Sequence, residues 1–206
     1  MCARFEQNIG PAECNELLLA LGLTMAEPSS WVPTVRPTDH ALVFSRERIF
    51  QASFGFRLAG RPMLINARSE TIRERPTFRR LLDRGQVLVP MNGFYESGPA
   101  GIALFSPSAA TPLIFAAGLF DDSLQSFVIL TRDADEIVAP IHHRMPVLVQ
   151  PSNALSWLAD GVLQHDTIAL DTTTLPTPER KHRRPETVAN AQCDGPGPPF
   201  EQGRLE

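Results

Sequence analysis

The sequence predicts a mainly β domain with flanking helices, an α+β fold around a partly closed sheet. Three observations carry that expectation. At 206 residues the chain suits one domain with a substantial core. After Gly85 it turns into short apolar or alternating runs, separated at even spacing by Gly, Pro, Ser and Asp. Helical periodicity is confined to a few short stretches, which places helices outside the sheet rather than between its strands.

Taken in order, ECNELLLALGL (13–23) sets Leu17, Leu18 and Leu21 on one helical face, with Gly22 near its end. WVPTVRPTDHALVF (31–44) is broken by proline, then β-branched and apolar, so it reads as a loop entering a strand. SETIRERPTFRRLLDRG (69–85) has a helical texture, with Ser69 as N-cap and Gly85 as stop; Pro76 ends a first turn or starts a second piece. QVLVPMNGFYES, IALFS, LIFAAGLF and SFVILTRDA read as strands, and ADEIVAPIHHRMPVLV as a turn, a loop and a further strand. PSNALSWLADG (151–161) is a second small helix capped by Ser152 or Asn153. The domain is expected to span 1–175, with 176–206 a loosely packed tail rich in Pro and Arg.

Composition narrows the function classes. No apolar run reaches membrane-spanning length and no basic-then-apolar leader is present, so a soluble, cytoplasmic protein is expected. Cys2, Cys14 and Cys193 form neither a disulfide framework nor a CxxC zinc pattern. Net charge is −4, yet from Arg36 to Arg84 eleven arginines face five acids, so that stretch carries +6 and the remainder −10. A basic region on an acidic chain can still steer phosphates, and arginine suits planar phosphate contacts and base stacking.

Four local patterns could carry chemistry: Cys2 with Arg4 in MCARF, Asn66 and Arg68 in LINARSET (64–71), Glu96 at the end of VLVPMNGFYES (87–97), and His142, His143 and Arg144 between apolar runs. Each has an ordinary structural reading: a strand-end amide for Asn66, a pair with Glu70 for Arg68, an exposed strand end for Glu96. Adjacent histidines on a strand would point to opposite faces, so no metal site is expected there. Together the residues supply a nucleophile, an amide, a carboxylate and an imidazole, the parts needed for addition to a carbonyl with proton transfers. If Met1 is removed, Cys2 carries an α-amine and a thiol on adjacent carbons, with pKa values near ~8 and ~8.5. An aldehyde would condense with the amine, and the thiol would close a five-membered thiazolidine.

These motifs, in this order from Cys2 to about Val149, resemble the SRAP family (SOS-response-associated peptidase domain). The resemblance implies a compact, mostly β domain, no cofactor, and single-stranded DNA with abasic sites as partner, bound by a monomer, nucleoid-associated in a bacterium. It implies that Cys2 forms the thiazolidine crosslink, Asn66 positions the sugar and the reacting terminus, Glu96 shuttles protons, and His142 assists ring opening and crosslink reversal. It also implies that Arg4, Arg68, Thr131 and Arg144 hold the DNA backbone, with Pro37 in a loop beside the channel. Three departures stand out: Ala3 replaces the family glycine, FGFRLAG (54–60) replaces a tryptophan-bearing segment, and Ser97 replaces an aromatic after GFYE. Two other classes compete with this reading. One is a thiol peptidase or autopeptidase using Cys2 with His142; the other is a non-catalytic DNA-binding module.

Overall fold

The computed structural model describes residues 2–9, 18–19, 22, 33–99, 101–108, 113–163 and 166–175. The helix expected over 13–23 lies largely outside these residues, as does the expected tail; within the helix span, Leu18 is buried and Gly22 has φ 64°.

Alternation decides the architecture. Strands β3 (His40–Phe44), β6 (Gln86–Met91), β9 (Ile114–Asp121) and β10 (Ser126–Asp133) send successive apolar side chains to opposite faces, and both faces are buried. Together with β4 (Ile49–Phe54) they form a ring: β10 pairs β4, β4 pairs β3, β3 pairs β6, β6 pairs β9, and β9 pairs β10. β5 (Asn66–Arg68), β11 (Arg144–Pro146) and β12 (Leu148–Val149) attach to this ring, β5 lying parallel to β10 and β11 antiparallel to it. The expected partly closed, mainly β core is therefore what the chain forms.

A second, wholly antiparallel sheet has the order β13 (Leu170–Leu175), β8 (Gly101–Pro107), β7 (Gly93–Gly98), β1 (Arg4–Glu6), β2 (Thr34–Val35). Its Phe5, Phe94 and Phe105 join Val43, Phe54, Val89 and Phe127 of the ring in one cluster, where Phe5 meets Phe54 edge-on and Phe54 stacks on Phe127. The alternate residues Phe44, Leu88, Ala117 and Val128 form a second cluster with Phe78, Leu81, Leu82, Trp157 and Leu158 of the helical segments. Trp157 also donates its indole N–H to the Val87 carbonyl at 2.9 Å.

Local chemistry overturns several helical expectations. Residues 69–85 do not form one helix: 69–74 are turns, and α1 is only Pro76–Arg79. Pro76 occupies the first turn, where its missing N–H costs nothing, so proline opens the helix rather than interrupting one. Ser69 caps nothing; its backbone N–H instead bonds Thr131 as an extension of β5. The second helix is a 3-10 turn over Pro151–Asn153 followed by α2 (Ala154–Asp160), without a side-chain cap: Asn153 donates to Asp166 instead. The run 86–97 is two strands, parted at Asn92, so Gly93 begins β7.

Two junctions hold the N-terminal strand in place. Gln7, fully enclosed, accepts from the Leu42 N–H and donates to the Leu42 and Pro90 carbonyls at 2.7–3.0 Å. It thereby bridges β3 and β6 where Pro90 lacks the N–H a ladder would need. At Arg36–Asp39 a tight turn places Pro37 second and Thr38 third, with Thr38 at φ 82°. That is a left-handed conformation normally left to glycine or asparagine.

Candidate active site

β1 begins two residues after Cys2, and its register with β7 sets Arg4 against Tyr95 and Phe5 against Phe94. That pairing brings Cys2 towards the strand that carries Glu96. β5, running parallel to β10, sets Asn66 beside Ile129. Its side chain donates from Nδ2 to the Cys2 carbonyl at 3.1 Å, while Asn66 Oδ1 is buried without a hydrogen-bond partner among the described residues. Cys2 is wholly buried, with Sγ 3.9 Å from the Arg4 carbonyl.

Glu96 is not the exposed strand end of its ordinary reading: it is 1 % exposed. Burial pushes its carboxyl above the usual carboxylate range, against the pull of the terminal ammonium and His142. His142 Nδ1 lies 3.6 Å from Glu96 Oε2. The same nitrogen is 3.0 Å from both the backbone N–H and the carbonyl of Arg144. Arg144 thus offers a donor to a bare Nδ1 and an acceptor to an Nδ1 that carries a proton. The Cys2 thiol is pushed far up, first by burial and then by the Glu96 charge, so it is held as a neutral thiol.

The loop that delivers His142 is built on Asp135, whose carboxylate accepts from the N–H groups of Ile137 and Val138. Val138 is buried and its carbonyl accepts from Ile141 and His142. On β7 opposite, Gly98 lies so close to this loop that a Cβ there would come within 2.1 Å of the Ile141 carbonyl oxygen. His142 and His143 are in a turn before β11 and their rings face each other at 4.5 Å. The expectation that they point to opposite faces therefore fails, because strand geometry begins only at Arg144. Among the described residues no group of three or more His, Cys, Asp or Glu is arranged to hold a metal ion.

The residues expected on DNA are arranged unequally. Arg4 lies over the Tyr95 ring at 3.7 Å, and Tyr95 donates its hydroxyl to Glu6. Arg68 is exposed at the end of β5, and Pro37 is half-buried in its turn. Thr131 is enclosed, its hydroxyl 3.5 Å from the Ala67 carbonyl. Arg144 is also enclosed, and it is Arg144, not Arg68, that pairs with Glu70. Ala3 is not among the residues with a left-handed φ, so alanine fits there without strain. Phe56 of FGFRLAG is fully buried against Phe78, and Ser97 is exposed.

With this geometry in view, the comparisons with known proteins decide the family. The model of the SOS response associated peptidase family (SRAP) matches residues 1–189. This chain belongs to the SRAP family. The abasic site processing protein YoqW of Bacillus subtilis is 31 % identical over 106 residues, 46 % of this chain and 47 % of that protein. The abasic site processing protein YedK of Escherichia coli is 31 % identical over 111 residues, half of each chain. The matched stretch thus spans about half the length of these curated relatives. Two crystal structures from Bordetella bronchiseptica share the fold. A phage-related protein has TM-score 0.68 at 24 % identity, over 84 % of this chain and 94 % of its own. Another protein has TM-score 0.67 at 19 % identity, over 85 % of this chain and all of its own. No helix among the described residues of this SRAP protein is long and apolar enough to cross a membrane.

Proposed function

We propose that this SRAP protein binds single-stranded DNA and captures abasic sites covalently through Cys2 once Met1 has been removed. The observation that carries the reading is the convergence of four side chains at one buried point: Cys2 held by Asn66, with Glu96 and His142 beside it. The ring-opened deoxyribose presents an aldehyde. The Cys2 α-amine adds to its carbon, the carbinolamine loses water, and the imine remains. Cys2 Sγ then adds to the imine carbon, its proton passing to the nitrogen, and the thiazolidine closes with no external oxidant or reductant.

Each residue has a role its surroundings support. Asn66 Nδ2 fixes the Cys2 carbonyl and so the direction of the adjacent amine, leaving Oδ1 directed at a further donor such as a sugar hydroxyl. Glu96, its carboxyl raised above the ordinary carboxylate range by burial, would give and take the protons that carbinolamine dehydration and thiol addition require. His142, beside Glu96, would protonate the sugar during ring opening and in the reverse reaction. Arg4, Arg68 and the Pro37 turn would line the path of the strand. A thiolate peptidase fits less well, because the buried Cys2 thiol is held protonated.

The test is incubation of the Met1-free protein with single-stranded DNA carrying one abasic site. A heat-stable adduct is expected from the wild type. Cys2→Ala keeps the amine and should give only a labile imine that survives reductive trapping. Cys2→Ser should give a rarer adduct, and protein that retains Met1 none. An undiminished heat-stable adduct from Cys2→Ala would overturn the proposal.

A further inference from the structure

Arg144 stands among the residues the resemblance assigns to the DNA backbone, yet its guanidinium is engaged inside the protein. Nη1 donates to Glu70 Oε1 at 2.8 Å and to Asp133 Oδ1 at 2.5 Å. Nη2 donates to Glu70 Oε2 at 2.9 Å, to the Thr131 carbonyl at 2.7 Å and more weakly to Thr131 Oγ1 at 3.4 Å. The Glu70 contact is the two-pronged geometry that matches a guanidinium to an oxyanion. It occupies the edge a phosphate would use. The Arg144 side chain is 6 % exposed, against 46 % for Glu70 and 89 % for Asp133. The two carboxylates therefore cap an arginine that the fold encloses.

The backbone of the same residue holds His142 Nδ1, which lies 3.0 Å from both its N–H and its carbonyl and accepts from the first when bare or donates to the second when protonated. On its other flank the His142 loop rests on β7 at Gly98. The imidazole thus follows a residue packed against Gly98 and contacts the backbone of Arg144, which its pairing with Asp133 and its guanidinium bonds to Glu70, Asp133 and Thr131 hold in place. We propose that Glu70 is a positioning residue: by holding the Arg144 guanidinium, it fixes the backbone that holds the His142 imidazole beside Glu96. Thr131, expected on DNA, serves the same anchor. The charged and titratable groups around the ring are Glu96 on β7, His143 in the turn, and Arg144 on β11 with Glu70 and Asp133 behind it. Glu70 itself is held below the ordinary carboxylate range, chiefly by its hydrogen bonds from Arg144, so the pair is intact at neutral pH.

The part of this inference that concerns reaction rate rests on the proposed crosslinking, so the experiment has one arm that needs no DNA. Full-length wild type, Glu70→Gln, Glu70→Asp and Asp133→Asn are compared in three measurements. These are affinity for an undamaged single-stranded oligonucleotide at fixed salt, rate of heat-stable adduct formation, and the ring ¹⁵N resonances of His142 in the free protein. Glu70→Gln should bind the oligonucleotide within about 2-fold of wild type, because no phosphate contact is lost or gained. It should form adduct about 10-fold more slowly, because the imidazole is no longer held in place. The His142 ring resonances should shift or broaden, and those of His40, far along β3, should not. Glu70→Asp should recover most of the rate, and Asp133→Asn should stay within about 2-fold throughout.

Tighter oligonucleotide binding by Glu70→Gln at an unchanged rate would overturn the proposal and return Arg144 to the DNA, with Glu70 as its competitor. Unchanged His142 resonances would overturn it equally. Should Glu70→Gln fail to fold, Glu70→Ala, which leaves Arg144 its Asp133 and Thr131 contacts, decides by the same resonances: a shift supports the proposal and none refutes it. If the wild type forms no adduct at all, the crosslinking reading fails, while the ring spectra still decide the link from Glu70 to His142.

Discussion

The two ends of the strand ring treat charge in opposite ways. At one end lie Asn66, Thr131, Asp133 and Arg144, with Cys2, Glu96 and His142 beside them; there Glu96 and Arg144 are enclosed, and Arg144 is matched by the more exposed Glu70 and Asp133. At the other, the β3–β4 hairpin, the start of β6 and the β9–β10 turn surround an open cleft of about 860 Å³. Arg46, Arg48, Arg80 and Arg84 line it together with Glu47, Asp83, Asp121 and Asp122. Only Asp121 is strongly held there: burial pushes its carboxyl up, but Ser123 and Arg80 together bring it below the ordinary range. Ser126 and Asp133, at opposite ends of β10, are roughly 23 Å apart. A stretch that is net basic along the chain is therefore divided in space. Arg36 and Arg68 stay with the site; Arg46, Arg48, Arg80 and Arg84 face away from it and are balanced by acids. Sequence charge alone overstates the basic surface near Cys2.

Removing the buried charge at the site end should have the largest effect. Glu96→Gln is expected to slow adduct formation by about 10²-fold, the scale of a lost proton-transfer group. Because the folded state raises the Glu96 pKa, the native protein binds that proton more tightly than the unfolded chain does. Stability is thus lost as pH rises from the ordinary carboxylate range through the native pKa. Glu96→Gln should therefore melt higher than wild type at pH 7, and the gap should close near pH 4. Thermal melts across that range check it; a lower melting temperature at pH 7 would mean the carboxylate serves the fold.

A smaller effect separates the two ends directly. Arg68→Ala should weaken binding to single-stranded DNA about 5-fold and lower the slope of log affinity against log salt by about one. Arg84→Ala, at the far cleft, should leave both unchanged. Equal losses from the two variants would erase the distinction. The least effect is expected from His143→Ala, which removes only the ring facing His142 and should change the adduct rate by less than about 3-fold.

How much of this was legible depends on the range of the determining contacts. The strands were readable because period-two alternation is local, and the resemblance supplied Cys2, Asn66, Glu96 and His142, which the fold does bring together. The helix expected over 69–85 failed because Pro76 and the pairing of Ser69 with Thr131 outweigh local propensity. The enclosure of Arg144 could not be read from neighbours in sequence. Glu70 is 74 residues away and reaches it only because β5 and β11 both pair with β10. Gln7 was missed for the same reason, its partners lying 35 and 83 residues along the chain. A proline in an otherwise regular strand, Pro90, was the one available hint that a side chain must complete that ladder.

β1 is an inner strand of its sheet, bonded to β7 on one side and β2 on the other, and Cys2 just before it is wholly buried. This placement has a consequence for the timing of biosynthesis. β7, its longer partner, is translated some ninety residues after β1, so β1 lacks that side of its pairing, and Cys2 its enclosure, while the first half of the domain is being made. An aminopeptidase must draw the first residues into its own cleft, which the docked strand forbids. For the capture proposed above, removal of Met1 by such an enzyme would therefore precede the docking of β1, and a chain folded with Met1 attached would be closed to that enzyme until it unfolded.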